Sequence, residues 1–361
     1  MIPDHAAHRS VRGTLPTFDV SLVIVSGLIE GGDGMKLLEK DLRQMLYWMV
    51  LGRRFEERKV VLHRQGLLRG FLHPGLGQEA VHVGACYSLG DEDYITLSHR
   101  GKEPELMKGW SLKDMLAGQM CKKESYGGGR TPDGSHMYGD LSKGIIPSPG
   151  IIGSVIPLAA GVGLGLKMKK KGGVVVTIFG DGASNRGDFH EGINLAAALR
   201  LPVIFLLANN GWAISVPIQK ATGGITRLSV RAAGYGIPGV TVDGNDILKV
   251  YEEASKAIER ARSGEGPTLL ECLIHRWTGH GMSDPDNYRT GKEKKEGEAK
   301  DPILRFKKEL ISKGQLTEEG YTEIEQRVAK EVEEAIHFAE KECTDIDPDT
   351  IDVSRGVYAG D

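Results

Sequence analysis

The middle of the chain contains two uncharged apolar runs separated by a helical pattern. Residues 174–179 are β-branched or apolar, which is typical of a strand buried on both faces. Residues 188–201 then place apolar side chains at helical spacing until Pro202 ends the helix, and residues 203–208 form the second apolar run. The pattern predicts a strand, a crossover helix and a second, parallel strand.

Polar residues follow both predicted strands where each one ends. Gly180, Asp181 and Gly182 come after the first strand, and Asn209 and Asn210 come after the second. Neighbouring parallel strands lie about 4.8 Å apart and end at the same edge of the sheet, where open α/β proteins bind ligands. Asp181 and one of the asparagines can therefore share a cation such as Mg²⁺, whose oxygen ligands commonly include phosphate oxygens. We expect this edge to anchor a diphosphate.

Other segments extend this unit into an α/β fold, a mostly parallel sheet with helices on both faces, plus helical N- and C-terminal segments. Short apolar runs near residues 93–97, 241–243 and 268–275 predict further strands. Residues 36–65 predict one long helix or a helix pair. The predicted helix caps are Asp246, Asp301 and Thr317.

The helix predicted to begin near Pro157 is rich in glycine. Gly161, Gly163 and Gly165 lie in its interior, where each glycine costs about 1 kcal/mol relative to alanine. Gly161 and Gly165 are four residues apart, so one face leaves room for a second helix to approach closely. We expect this face to pack at a subunit interface. The segment lacks the G-x-G-x-x-G pattern of a dinucleotide site.

Length, charge and cysteine content limit the number of domains, the classes of partner to expect and the redox environment. The 361 residues allow one large or two small domains. Charged residues make up 26% of the chain and the formal net charge is −3, which gives no reason to expect nucleic acid or a membrane as a partner. The four cysteines contain no C-x-x-C pair, which predicts buried or idle thiols in a reducing, cytoplasmic environment.

Residues 1–34 are interpreted as an N-terminal extension. Residues 20–29 are apolar, but they lack the small residues of a signal-peptide cleavage site and are too few to span a bilayer. Residues 30–34 immediately precede Met35, and purine-rich codons for this segment are typical of a ribosome-binding site. We expect translation to start at Met35.

The βαβ unit resembles the thiamine-diphosphate motif, in which G-D-G is followed by a helix, an apolar strand and a pair of asparagines. The resemblance implies that Asp181, Asn210 and the backbone carbonyl of Trp212 bind Mg²⁺. It also implies contacts to the cofactor from the neighbouring residues Gly180, Gly182 and Ala183.

Two further segments resemble the α subunits of 2-oxo acid dehydrogenases. G-F-L-H at residues 70–73 precedes G-Q-E-A, and residues 276–289 resemble the family loop H-G-H-S-M-S-D-P-x-x-Y-R. The resemblance implies that Phe71 and His73 lie near the substrate channel. It places His280 over the reactive carbon of the cofactor, where it assists substrate binding and reductive acyl transfer.

Four more residues match the family's cofactor site. Arg100 matches an arginine that grips the terminal phosphate, and a guanidinium fork suits two phosphate oxygens. His99 stands where relatives have Tyr or His. The residues equivalent to Gly150 and Ile152 bond the aminopyrimidine through their backbone. The side chain of Ile152 is either the apolar wedge against the cofactor or an ordinary core residue.

The chain departs from the family pattern at several points. Thr278 replaces the first histidine of the loop. Gly281 replaces the serine that is phosphorylated in mitochondrial relatives, so that switch is absent although Ser283 remains. Residues 102–105 replace a commoner His- and Gly-rich run, and residues 134–138 match the family's G-S-M-H-M-Y segment only in part.

The resemblance covers roughly residues 42–292 and implies the α subunit of a thiamine-diphosphate-dependent 2-oxo acid dehydrogenase. We expect a cofactor-binding domain at residues 35–292 and a helical region at residues 293–361. The chain is too short for the second domain that such enzymes need. A separate β subunit is therefore expected to supply the activating glutamate, in an α2β2 assembly that passes the acyl group to a lipoyl acyltransferase core.

Other functions remain open at this point. An acetoin dehydrogenase α subunit has the same chemistry, and a split transketolase-like subunit uses the same anchor but is expected to lack the H-G-M-S-D-P loop. A non-catalytic nucleotide- or Mg²⁺-binding module would not need Arg100, Asp181 and His280 together. Serine hydrolase and P-loop motifs are absent, and Ala183 and Arg186 occupy positions that exclude an EF-hand. Pyruvate, branched-chain 2-oxo acids and acetoin stay undistinguished, because one or two methylenes contribute only about 1–3 kcal/mol.

Overall fold

A five-stranded parallel sheet forms the centre of the fold. The computed structural model describes residues 37–68, 70–129, 139–350 and 352, so the predicted segments at residues 1–34 and 134–138 lie outside the described residues. The strands are β1 (Tyr94–Leu97), β2 (Val175–Gly180), β3 (Val203–Asn209), β4 (Trp212–Ala213), β5 (Val216–Pro217), β6 (Gly239–Asp243) and β7 (Thr268–Leu273). The sheet order is β1-β2-β3-β7-β6, and β4 pairs with β5 in a separate antiparallel ribbon.

Helices flank the sheet and extend beyond it at both ends of the described chain. They are α1 (Glu39–Arg64), α2 (Glu79–Cys86), α3 (Glu103–Met107), α4 (Leu112–Gln119), α5 (Val155–Lys169), α6 (Gly187–Ala198), α7 (Ile218–Ala221), α8 (Ile247–Arg262), α9 (Gly291–Glu298), α10 (Pro302–Ser312) and α11 (Glu318–His337). None of these helices combines the length and the apolar character that crossing a membrane requires.

The two faces of the sheet belong to two different apolar cores. Val176 and Ile178 of β2 pack into the larger core, which also contains buried residues of α1, α2, α8, α10 and α11. Val175 and Phe179 of the same strand pack into the smaller core with residues of α5 and α6. Side chains of a strand alternate between its faces, so a strand without charged residues is buried on both sides. The predicted α/β fold with helices on both faces is confirmed.

The predicted βαβ unit is also confirmed. β2, α6 and β3 form it, and β2 pairs with β3 in parallel, with Val176 opposite Ile204. β6, α8 and β7 repeat the arrangement at the other edge of the sheet. The second neighbour of β3 is β7, which follows it by more than fifty residues and which no local sequence pattern identifies as its partner.

The terminal helices pack onto the same core as the sheet. The N-terminal segment is one long helix, α1, rather than a helix pair. Helices α10 and α11 contribute Phe306, Leu310 and Val328 to the larger core. The predicted caps are present, because Asp246, Asp301 and Thr317 each accept a backbone N–H of the following helix.

The glycines of α5 differ in their surroundings. A Cβ on Gly163 would lie 2.7 Å from Cγ2 of Val203, so this glycine allows the helix to approach the sheet. A Cβ on Gly161 or Gly165 would meet no described atom within 4 Å. These two glycines therefore lie on a face that the described part of the chain leaves uncovered. Their place in a subunit interface stays a prediction.

Candidate active site

A cavity of about 280 Å³ lies at the carboxyl edge of the sheet. It sits beyond the ends of β1, β2 and β3, and the loop after β7 closes one side of it. Residues that the sequence predicted separately meet here, as expected for parallel strands that end at one edge. The predicted residues that line the cavity are His99, Arg100, Ile152, Gly180, Asp181, Gly182, Ala183, Asn210, Trp212 and His280.

Asp181 is the one acidic residue among the described residues that line the cavity. It begins a short 3₁₀ turn directly after β2, and its side chain is 1% exposed. Burial raises the pKa of Asp181 to about 6. Its Oδ2 accepts no hydrogen bond within the described residues. A buried carboxylate oxygen without a donor is costly, so the position favours a bound cation.

The two asparagines after β3 have different surroundings. Asn209 is buried, and its amide donates to Oε1 of Glu271 at 2.6 Å and accepts from the backbone N–H of Gly211 at 2.9 Å. Asn210 lines the cavity, and its Oδ1 accepts from the backbone N–H of Trp212 at 3.1 Å. An amide oxygen has two lone pairs, so Oδ1 of Asn210 retains one for a cation.

Two buried guanidinium groups, those of Arg100 and Arg276, also line the cavity. Arg100 donates to the carbonyl of Pro74 at 2.8 Å and to the carbonyl of His280 at 2.6 Å. Burial and the nearby charge of Arg276 lower the pKa of Arg100 to about 9. Two neighbouring cations in a desolvated site are stabilised by an anion, and a diphosphate offers several oxygens to such groups.

Arg276 also supports the wall of the cavity. It donates to the carbonyl of Ile214 at 3.0 Å and to the hydroxyl of Tyr288 at 2.6 Å. Ile214 has a φ of 57°, which is unfavourable for a β-branched residue, so this bond helps to hold a strained turn in place. Burial lowers the pKa of Arg276.

His280 is a half-buried, neutral imidazole. Burial, followed by the charges of Arg100 and Arg276, lowers its pKa to about 4. Its Nδ1 lies 3.4 Å from Nη2 of Arg100. A guanidinium group only donates, so this contact favours the tautomer with a lone pair on Nδ1 and the proton on Nε2. The backbone N–H of His280 donates to Asp284 at 2.5 Å, which fixes the loop.

His280 belongs to a cluster of three histidines from three separate segments. The ring of His73 lies 4.1 Å from that of His99 and 4.8 Å from that of His280. One ligand nitrogen of each residue lies within 4.8 Å of the others, an arrangement that can bind a metal ion. The adjacent charge of Arg100 opposes a cation there. We therefore interpret the cluster as a polar wall beside the cavity.

Of the predicted residues Ile152, Gly150 and Phe71, Ile152 alone lines the cavity. Ile152 lines the cavity with a side chain that is 41% exposed, so the interpretation of Ile152 as an ordinary core residue is wrong. Gly150 is exposed and does not line the cavity. Phe71 is 51% exposed and also lies outside the lining, but its ring contacts His73 edge-on with the centroids 4.6 Å apart.

Sequence reasoning missed four polar residues of the lining: Gln78, His82, Ser98 and Arg276. Arg276 could have been found, because it follows β7 in the same way that Arg100 follows β1. Gln78 directly precedes α2 and His82 lies within it, and this helix is buried along its whole length, so their pattern resembles a core helix. Both are buried, and Nδ1 of His82 lies 3.1 Å from the carboxylate of Glu103.

Comparison with known proteins places this site in a family. The sequence profile described as "Dehydrogenase E1 component" matches residues 47–346. The chain belongs to this family. It is 42% identical to the alpha subunit of acetoin:2,6-dichlorophenolindophenol oxidoreductase of Bacillus subtilis (strain 168), over 85% of this chain and 91% of that protein. It is 40% identical to the pyruvate dehydrogenase E1 component subunit alpha of Staphylococcus epidermidis (strain RP62A), over 84% of this chain and 79% of that protein.

Membership of the E1 family implies thiamine diphosphate as the cofactor, and the residues at the cavity fit its charged end. The carboxylate of Asp181 has an oxygen without a donor, and two buried guanidinium groups lie nearby. The turn after β2 also packs closely, because a Cβ on Gly182 would lie 3.1 Å from Cβ of Ala213. Glycine at this position therefore lets the turn pack against Ala213.

A largely buried cluster of charged residues joins the loop before α2 to the loop after β7. Arg53 of α1 forms a two-pronged pair with Glu79 of α2, with distances of 2.6 and 3.0 Å. The same guanidinium contacts Asp301 at 3.2 Å and lies over the ring of Trp277, 4.1 Å from its centroid. Glu79 in turn accepts the backbone N–H of Gly77 at 3.0 Å. The cluster therefore connects the segments that carry His73 and His280.

Proposed function

We propose that this chain is the α subunit of a thiamine-diphosphate-dependent dehydrogenase that oxidatively decarboxylates a 2-oxo acid and passes the acyl group to lipoamide. The observation that carries the proposal is the buried, unpaired Oδ2 of Asp181 beside Arg100 and Arg276 in a cavity at the sheet edge. The E1 family match favours this function over a transketolase-like transferase or a non-catalytic binding module.

Residues at the strand ends hold the cofactor in this proposal. The carboxylate of Asp181, the amide oxygen of Asn210 and the carbonyl of Trp212 bind Mg²⁺, which in turn holds the diphosphate. Arg100 binds its terminal phosphate. Backbone groups and flanking side chains complete the site, and they are Gly180, Gly182, Ala183, His99, Gly150 and Ile152.

His280 is the proposed catalytic residue. Thiamine diphosphate supplies a carbon nucleophile and an electron sink for decarboxylation. The contribution of this chain is to position that cofactor and to exchange protons beside it. His280 is suited to this role because its pKa of about 4 keeps it neutral, and its contact with Arg100 favours the proton on Nε2. His73 and Phe71 flank it and are proposed to contact the substrate.

The proposed partners follow from the same family. A β subunit contributes the activating glutamate in an α2β2 assembly, and a lipoyl acyltransferase core accepts the acyl group. We propose a cytoplasmic location, because Cys86, Cys272 and Cys343 are free thiols, as expected in a reducing environment. Acetoin is the alternative substrate, because the relative named for acetoin oxidation is 42% identical to this chain.

Dye-linked oxidation by the reconstituted enzyme tests the function. The chain is co-expressed with its β partner, loaded with thiamine diphosphate and Mg²⁺, and supplied with pyruvate, 2-oxobutyrate, 2-oxoisovalerate or acetoin. We expect turnover of one of these substrates and its loss in Asp181→Ala. The matched control is Asp188→Ala, which removes a partly exposed carboxylate from the first turn of α6 and should leave turnover unchanged.

The outcomes separate the candidate functions. Turnover of a 2-oxo acid supports the dehydrogenase of a 2-oxo acid complex, and turnover of acetoin alone supports the acetoin enzyme. Failure with all four substrates, in a complex that binds the cofactor, would overturn the dehydrogenase proposal in favour of a transferase.

A further inference from the structure

Glu271 is a carboxylate buried in the middle of the sheet. It lies in β7 between Leu207 of β3 and Thr241 of β6, and its side chain is fully buried. Its neighbours along β7 are otherwise apolar or small. A buried charge is costly unless other groups compensate it, so its retention in an apolar strand indicates a specific role.

Neutral donors compensate the charge of Glu271. Its Oε1 accepts from Nδ2 of Asn209 at 2.6 Å. Its Oε2 accepts from the backbone N–H of Ser229 at 3.0 Å and from the hydroxyl of Thr241 at 2.9 Å. Hydrogen bonds to an ionised acceptor are stronger than neutral ones, so this carboxylate fixes the groups around it.

The carboxylate determines which way the amide of Asn209 points. An ionised carboxylate only accepts, so the NH₂ group of Asn209 must face Glu271. The amide oxygen then faces the other way, where it accepts the backbone N–H of Gly211 at 2.9 Å. Gly211 has a φ of 81° and stands between Asn210 and Trp212. The turn that carries these two residues is therefore held through Asn209.

We propose that Glu271 is a positioning residue for the cation site. Acting through Asn209, it fixes the turn at Gly211 and so the oxygens of Asn210 and Trp212. Glu271 does not line the cavity, and its effect is transmitted by two hydrogen bonds in series. This inference rests on the proposed binding of Mg²⁺ and thiamine diphosphate at that turn.

An exchange of hydrogen-bonding groups tests the proposal. In Glu271→Gln, an NH₂ group must face either Asn209 or Ser229, both of which are donors. In Asn209→Asp, two carboxylates face each other. In the double variant, the NH₂ group of the glutamine donates to the new aspartate, and its oxygen accepts from Ser229 and Thr241. The double variant therefore restores every bond of the network.

The measurement is the Mg²⁺ concentration that half-saturates binding of thiamine diphosphate to the α–β complex, followed by calorimetry without substrate. We expect each single variant to raise it about tenfold, as for the loss of one charge-assisted hydrogen bond. The double variant should return to within about threefold of wild type. Asn209→Ala, which leaves Glu271 bonded to Ser229 and Thr241, gives the same comparison if a Glu271 variant does not fold.

The controls separate positioning from stability. Ile204→Ala opens a cavity in β3 without touching the network, so it should lower the apo unfolding temperature and leave Mg²⁺ half-saturation unchanged. Single variants that bind Mg²⁺ like wild type, or a double variant that recovers stability but not Mg²⁺ binding, would overturn the inference. A wild-type complex with no Mg²⁺-dependent binding would instead overturn the proposed function on which it rests.

Discussion

Arg100 donates to the backbone carbonyl of His280 at 2.6 Å, although the two residues are 180 positions apart in the chain. Nη1 of the same guanidinium group donates to the backbone carbonyl of Pro74 at 2.8 Å. One guanidinium group therefore joins the loop before α2 to the loop after β7. The same group lines the cavity beside Asp181. The residue that the family resemblance assigns to phosphate binding therefore also holds together the segments of the three-histidine cluster.

Arg100→Lys should weaken cofactor binding although the positive charge is kept. Lysine keeps the charge but cannot donate to Pro74 and His280 through a planar fork. We expect binding of thiamine diphosphate to the α–β complex to weaken about 10- to 100-fold, the equivalent of about 1.5–3 kcal/mol for bonds to a charged group. Calorimetric titration measures the change. Arg186→Lys, at an exposed position, serves as the control and should bind like wild type.

Asp181→Asn should make the apo subunit more stable while abolishing Mg²⁺ binding. The pKa of Asp181 is raised from 3.8 to about 6 by burial, so the folded chain binds more protons than the unfolded chain between these values. Stability therefore falls as pH rises through this window, and the full cost, about 3 kcal/mol, is present above pH 6. Urea unfolding at pH 8 should show the gain, and unfolding below pH 3.8 should show none.

The same pKa predicts how Mg²⁺ binding depends on pH. Below about pH 6 the cation must displace a proton from Asp181, so its half-saturation concentration should rise about tenfold for each pH unit. Binding of thiamine diphosphate followed from pH 5 to pH 8 provides the test. A flat profile across this range would contradict the assignment of Asp181 as the ligand.

Arg53→Met should be strongly destabilising, whereas the same substitution at Arg54 should not. The substitution leaves the buried carboxylate of Glu79 without its cation, which costs about 3–5 kcal/mol. Adding Glu79→Gln should recover part of the loss, since it removes the unpaired charge. Arg54→Met breaks an exposed pair with Glu57 and should cost at most about 1 kcal/mol. Thermal unfolding of the wild type and these three variants gives the comparison.

Gly281→Ala should act through Phe71. A Cβ at this position would lie 2.5 Å from Cζ of Phe71, so the ring must move away. The ring is half-exposed and can move without a large loss of stability, but it then leaves its contact with His73. We expect a raised KM with little change in unfolding temperature. In a Phe71→Ala background, the Gly281 substitution should have no further effect on KM.

The sequence predicted the parts of the site that depend on local patterns. The β2–α6–β3 unit, its acidic turn and its asparagine pair are contiguous in the chain, and apolar runs with breaks are enough to identify them. The cap residues Asp246 and Thr317 are equally local. These features need no knowledge of how distant segments pair.

Features that depend on the pairing of segments far apart in the sequence could not be predicted from local patterns. The placement of β7 beside β3 brings Arg276 to the cavity and Glu271 to Asn209, and no spacing in the chain encodes this neighbour. His82 looks like a member of an apolar helix until the fold places it at the cavity. The division into domains at residue 292 stays a prediction, although the C-terminal helices share the larger core.

Asp301 serves two elements at once, since it caps α10 through the backbone N–H of Ile303 and pairs with Arg53 beside Trp277. The C-terminal helices are therefore not an exchangeable module. A chimera that joins the sheet of this chain to the helical tail of a relative would need a carboxylate at the junction, at the distance that Arg53 requires. Replacing the tail without such a carboxylate would alter the loop that carries Trp277 and His280.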